Sequence, residues 1–107
     1  MPHHKLRAYE LALELLRIVR GAEIRDAKLR DQAMRAAKSA ALNIAEAAGR
    51  VSPADRARVF AIARGEAMEA AAALEIASLA GDAGAADFEA ALPIADELMA
   101  VLTGLCR

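Results

Sequence analysis

Gln32, Arg35, Ser39, Asn43, Glu46 and Arg50 recur at spacings of three and four, which puts their polar groups on one stripe of a helix. Two more carboxylates, Glu66 and Glu69, lie one turn apart further along the chain. Carboxylates brought together from neighbouring helices can form an acid–base pair or cage a divalent cation. The same groups can instead accept hydrogen bonds from Arg35, Arg50, Arg64 or Asn43, giving a structural polar network of Gln32, Ser39, Asn43, Glu46 and Glu69. No histidine lies in either segment to partner the acids, so the network is the expected reading and no catalytic residues are assigned.

Other reactive chemistry is scarce. The two histidines, His3 and His4, precede the first expected helix and read as a frayed, solvated end rather than a metal site. Inward Glu-x-x-His pairs of a di-iron bundle are lacking, as are the arginine–histidine pair of helical RNases and a glycine-rich phosphate loop before Lys-Ser/Thr. Cys106 is the only cysteine and has no basic neighbour but Arg107, the setting of an inert thiol. Neither metal nor cofactor is expected.

Charge is distributed unevenly. The chain of 107 residues has a formal net charge of −1, yet residues 1–64 carry 13 Lys/Arg against 7 Asp/Glu, and residues 65–107 carry 1 against 8. Lys28, Arg35, Lys38, Arg50, Arg56, Arg58 and Arg64 form a candidate phosphate-binding surface, with Arg56 and Arg58 the expected exposed members. No aromatic residues interleave with them, so binding to RNA or DNA would be backbone-directed, non-specific and salt-sensitive. The competing reading makes these cations a solvated face or subunit salt bridges. Asp82, Asp87, Glu89, Asp96 and Glu97 offer an acidic surface for a basic protein partner.

Helical periodicity runs almost end to end. Helices are expected over about 6–20, 25–49, 53–80 and 86–104, in one domain. Leu6, Tyr9, Leu13, Leu16 and Arg20 trace one stripe of the first helix, widened by Ala12, Leu15 and Val19. Leu29, Ala33, Ala37, Ile44 and Ala48 mark the second, and Phe60, Ala63, Ala67, Leu74, Ile62 and Ile76 are among the periodic positions of the third. Ser52-Pro53 opens that third helix, and Pro93 should kink the fourth or delay its start. Short connections favour an all-α, antiparallel up-down-up-down four-helix bundle. Thirty alanines and three aromatics make a thin core and leave apolar faces that favour homo-oligomers. With no signal-like or membrane-spanning stretch, the expected location is cytoplasmic.

Three segments carry a resemblance. Lys5-Leu6-x-Ala8-Tyr9-x-x-Ala12 resembles a Lys-Leu-x-Val-Trp-x-x-Ala opening; Gln32, Arg35-Ala36-Ala37, Ser39 and Asn43-Ile44-Ala45-Glu46, ending in Gly49-Arg50, resemble a signature helix. Ile62-Ala63-x-Gly65 followed by Glu69 is similar to Ile-Ala-x-Gly-Ser-x-x-Glu. The family is the four-helix-bundle proteins first noticed as open reading frames within intervening sequences of bacterial 23S rRNA genes, also labelled S23 ribosomal protein-like. Departures are Tyr9 for Trp, Ala47 for Gly, Glu66 for Ser, and Ala40-Ala41 where Ile-Pro is common, so a proline kink in helix two is not expected. The resemblance implies a bundle assembled as a ring-like homopentamer. It also relates the chain to the accessory protein of diversity-generating retroelements, which binds nucleic acid and a reverse transcriptase. The function expected is thus a non-enzymatic accessory or scaffold protein that binds nucleic acid through basic residues, the alternative being a pentameric protein–protein adaptor.

Overall fold

A computed structural model describes residues 2–107, which form four helices: α1 (Pro2–Gly21), α2 (Ala27–Ala48), α3 (Pro53–Ala80) and α4 (Ala85–Leu105). α1 packs on α2 and α4, and α3 packs on the same two, so the helices sit at the corners of a square. The 28 residues of α3 account for the longest dimension, 43 Å, at about 1.5 Å per residue.

The helix ends follow from local chemistry. Asp26 caps α2 by accepting from the Leu29 amide at 2.9 Å, and Ser52 caps α3 by accepting from the Asp55 amide at 3.3 Å. Pro53 occupies the first turn of α3, where no amide hydrogen is needed. Gly81 ends α3 with φ of 83°, the left-handed conformation that glycine adopts without Cβ strain. α1 begins four residues before Leu6, so His3 and His4 are exposed within its first turns, not before it. α4 runs unbroken through Pro93. The carbonyl that proline leaves without an amide donor belongs to Glu89, an exposed residue where water can take the bond.

The core is built mainly from alanine, with Phe60, Leu15, Ile24, Ile44, Leu74, Leu98 and Leu102 supplying the bulk. α2 contributes Ala33, Ala36, Ala37, Ala40, Ala41, Ile44 and Ala47, and stays continuous across Ala40-Ala41. Small side chains on α2 and α3 let these helices share the most extensive contact in the bundle.

Two stripes differ from the sequence expectation. α1 buries Ala8, Leu11, Ala12, Leu15 and Val19, whereas Leu6 is 60% exposed and Tyr9 is at the surface. α3 buries Phe60, Ala63, Ala67, Ala70, Leu74 and Ala77, while Ile62 and Ile76 face outward. In both helices the apolar residues form two overlapping series, and only packing against the other helices selects one.

Candidate nucleic-acid interface

The polar stripe of α2 resolves into three separate groups. Arg35 reaches across to α3, donating to Glu66 at 3.2 Å and to Glu69. Asn43 donates to the Ser39 carbonyl at 2.8 Å and to its hydroxyl at 3.0 Å, one turn back on the same helix. Arg50 donates to Glu46, one turn earlier, and to Asp55 at 2.9 Å, across the α2–α3 turn. Gln32 is exposed and joins none of these groups. Glu66 and Glu69 share one guanidinium, while Glu46 serves another; the three acids do not meet.

Asp55 is the hub at the turn. It caps nothing itself, but its carboxylate takes Arg50 on one oxygen and Arg58 on the other, the latter at 2.9 and 3.2 Å. The Arg58 hydrogen bonds hold the Asp55 carboxyl below the ordinary aspartate range, with the Arg50 charge adding to the effect. Reciprocally, the Glu46 hydrogen bond, followed by the Asp55 charge, raises the Arg50 guanidinium above its usual value. Arg56 is half-buried rather than fully exposed: it donates to the Arg50 and Val51 carbonyls at 3.0 and 2.8 Å and so fastens the turn to α3.

Arg64 points to α4, where its Nε donates to the Thr103 hydroxyl at 2.9 Å. Cys106 lies near enough to feel that charge, but burial dominates and pushes its thiol pKa up, away from the reactive thiolate. Lys28 and Lys38 are exposed on α2 and take part in no ion pair among the described residues. At the far corner of the bundle Arg7 makes a two-pronged pair with Glu97, at 2.7 and 2.8 Å, and this bond lowers the Glu97 pKa.

The seven candidate cations therefore differ in what they offer a phosphate. Arg35, Arg50 and Arg58 already face carboxylates, which cancel much of their field. Arg56 and Arg64 are held by neutral oxygens and keep their charge, while Lys28 and Lys38 are free at the surface. Among the described residues no group of three or more His, Cys, Asp or Glu side chains is placed to hold a metal ion. No helix among them is long and apolar enough to cross a membrane.

A second surface was not legible from residue types. On α3, Ile62, Gly65, Glu69, Ala72, Ile76 and Leu79 form an outward seam spaced by three and four, two residues out of step with the buried seam and so on the opposite side of the helix. Met68 flanks it; Leu79 is 83%, Ile76 53% and Met68 50% exposed. A separate apolar groove lies between α1 and α2, lined by Leu6, Tyr9, Ile44, Ala45 and Ala48, and Leu42 of α2 is also exposed. The heptad-like spacing of the α3 seam was the available signal, hidden because the inner seam has the same period.

A family model described as 23S rRNA-intervening sequence protein matches residues 5–104. No curated protein gives a significant match.

Proposed function

Because this chain belongs to the family of 23S rRNA-intervening sequence proteins, we propose that it is a non-enzymatic, self-assembling scaffold. Its bundle is read as antiparallel, up-down-up-down, and its assembly as a ring of five copies. The observation that carries this reading is the outward seam of α3, apolar but for Glu69, which Arg35 neutralises. A helix that is apolar on both sides normally has partners on both sides. Gly65 supports it: a glycine in the middle of an exposed helix costs about 1 kcal/mol against alanine, and an added Cβ would meet nothing within 4 Å of its own chain. A neighbouring helix approaching closely at Gly65 and Ala72 gives that glycine a purpose.

The apolar seam of α3 and the α1–α2 groove are different surfaces on different elements. Joining one to the other is a heterologous contact, and heterologous contacts that close make rings. The basic first 64 residues and acidic remainder would meet across such a junction. The antiparallel reading draws on the pairing of Arg7, early in α1, with Glu97, late in α4. Sedimentation velocity or native mass spectrometry tests the assembly: five copies of 11.2 kDa would give about 56 kDa. A single species at the chain mass across the concentration range would sink the proposal.

A second reading is that the scaffold holds nucleic acid non-specifically, as a retroelement-type accessory protein does beside its reverse transcriptase. It draws on Lys28, Lys38 and Arg56, which pair with no carboxylate among the described residues. Fluorescence anisotropy with labelled RNA and DNA across a salt series tests it. Affinity that falls steeply with salt is expected, and flat anisotropy at low salt leaves the protein-docking scaffold alone.

A further inference from the structure

The α1–α2 connection forms a cleft of about 530 Å³ at one end of the bundle, and three arginines, Arg20, Arg25 and Arg30, line it. Its floor is apolar: Val19 and Ile24 are buried and Met34 is half-buried. This volume is within the range of sites for small organic ligands, larger than a bare ion needs.

The arginines here differ from most of those elsewhere in the protein and share with Arg56 and Arg64 the lack of a carboxylate partner. Arg7, Arg17, Arg35, Arg50 and Arg58 each face a carboxylate. Among the described residues, none of Arg20, Arg25 and Arg30 does. Arg30 donates to the Ile24 carbonyl at 3.1 Å, and Arg25 donates to the Gly81 carbonyl across the neighbouring loop. A carbonyl fixes a guanidinium without cancelling its charge, and each fork keeps other N–H donors to offer. Glu23 is the one acid lining the cleft, so the lining is +2 by count of its side chains. Asp82 lines an adjoining recess beside Arg25, and Asp26 is occupied in capping α2. Glu23 is also the only non-glycine residue among those described with a left-handed backbone, φ 48°, in the turn that ends α1.

We propose that this cleft binds a phosphate monoester. Arg20, Arg25 and Arg30 hold the dianionic head by charge-assisted hydrogen bonds, and the carbon body lies on Val19, Ile24 and Met34. A free mononucleotide and the terminal phosphate of a nucleic-acid strand share this chemistry. The site is independent of the scaffold reading, since it lies on neither the α3 seam nor the α1–α2 groove.

The test uses the full chain at low salt, following the arginine Nε–H resonances by NMR while adding adenosine 5′-monophosphate, adenosine, or a short RNA with and without a 5′-phosphate. Saturable shifts of Arg20, Arg25 and Arg30 with the monophosphate, and none with adenosine, are expected. The Arg20 side chain makes no hydrogen bond among the described residues, so Arg20→Gln should fold and should weaken binding about tenfold or more. Arg30→Lys, which keeps the charge but loses the fork, is the second variant and should also weaken it. Arg17→Gln, away from the cleft, should change nothing. Saturation by the phosphorylated RNA but not the mononucleotide identifies a strand end; saturation by both identifies the phosphate group itself. Equal response to both RNAs, shifts unchanged in Arg20→Gln, or no saturable shift at all overturns the proposal.

Discussion

Replacing Ile76 and Leu79 with glutamate should take the assembly apart while leaving the single bundle intact. Leu79 is 83% and Ile76 53% exposed in the isolated chain. Complete burial of such a side chain contributes about 1.5–3 kcal/mol, so covering the exposed fractions would contribute about 2 kcal/mol for Leu79 and about 1 kcal/mol for Ile76. Losing about 3 kcal/mol weakens each contact about 150-fold, before any cost of bringing glutamate into an apolar junction. The fold itself loses nothing comparable, because both side chains already face water and glutamate is a good helix former. Sedimentation velocity reads the assembly, and thermal melts followed by circular dichroism, from about 1 to about 100 µM, read its linkage to stability. The natural protein should melt at higher temperature as concentration rises, and the double variant should not. A variant that sediments like the natural protein would refute the argument, as would natural protein whose melting is independent of concentration.

Other expectations follow from single residues. Phe60→Ala removes the largest buried side chain and should destabilise the bundle by about 3–5 kcal/mol in denaturant titrations, since an alanine-rich core has little bulk to refill the space. Gly81→Ala meets no neighbour within 4 Å, so its cost is the left-handed backbone alone, about 1–2 kcal/mol in the same assay. The depressed Asp55 carboxyl stabilises the fold above the unfolded aspartate pKa, and that contribution disappears as pH falls through the lower folded value. Acid titration of Asp55→Asn, followed by circular dichroism, should therefore give a shallower loss of stability below about pH 4 than the natural chain.

What could be read from the residues depended on whether the signal was local. Asp26, Ser52-Pro53 and Gly81 act within one turn of chain, and their effects are the observed helix ends. The register of the polar stripe was also readable, with Arg35 and Arg50 among the donors expected for its acids, but which donor meets which acid was not. Arg35 finds Glu66 and Glu69 only because α2 lies against α3, and Asp55 gains Arg50 beside its own-helix neighbour Arg58 only because the turn at 49–52 folds back. Arg56 looked like a free surface cation because nothing in its neighbours reveals that two carbonyls turn toward it.

The sequence alone determined that the chain is all-helical, because periodicity and caps are properties of consecutive residues. It also determined the family, through motifs whose order and spacing survive without coordinates. Tertiary structure decided which of two equally periodic apolar series on α1 and α3 went inside. It decided, too, which arginines spend their charge on carboxylates and which, at Arg20, Arg25 and Arg30, keep it. Pairs such as Arg17–Glu14 and Arg58–Asp55 lie one helical turn apart and are local. Burial, and the pairing of Arg7 with Glu97 or Arg35 with Glu66, depend on residues distant in the chain meeting in space, and no local pattern encodes that meeting.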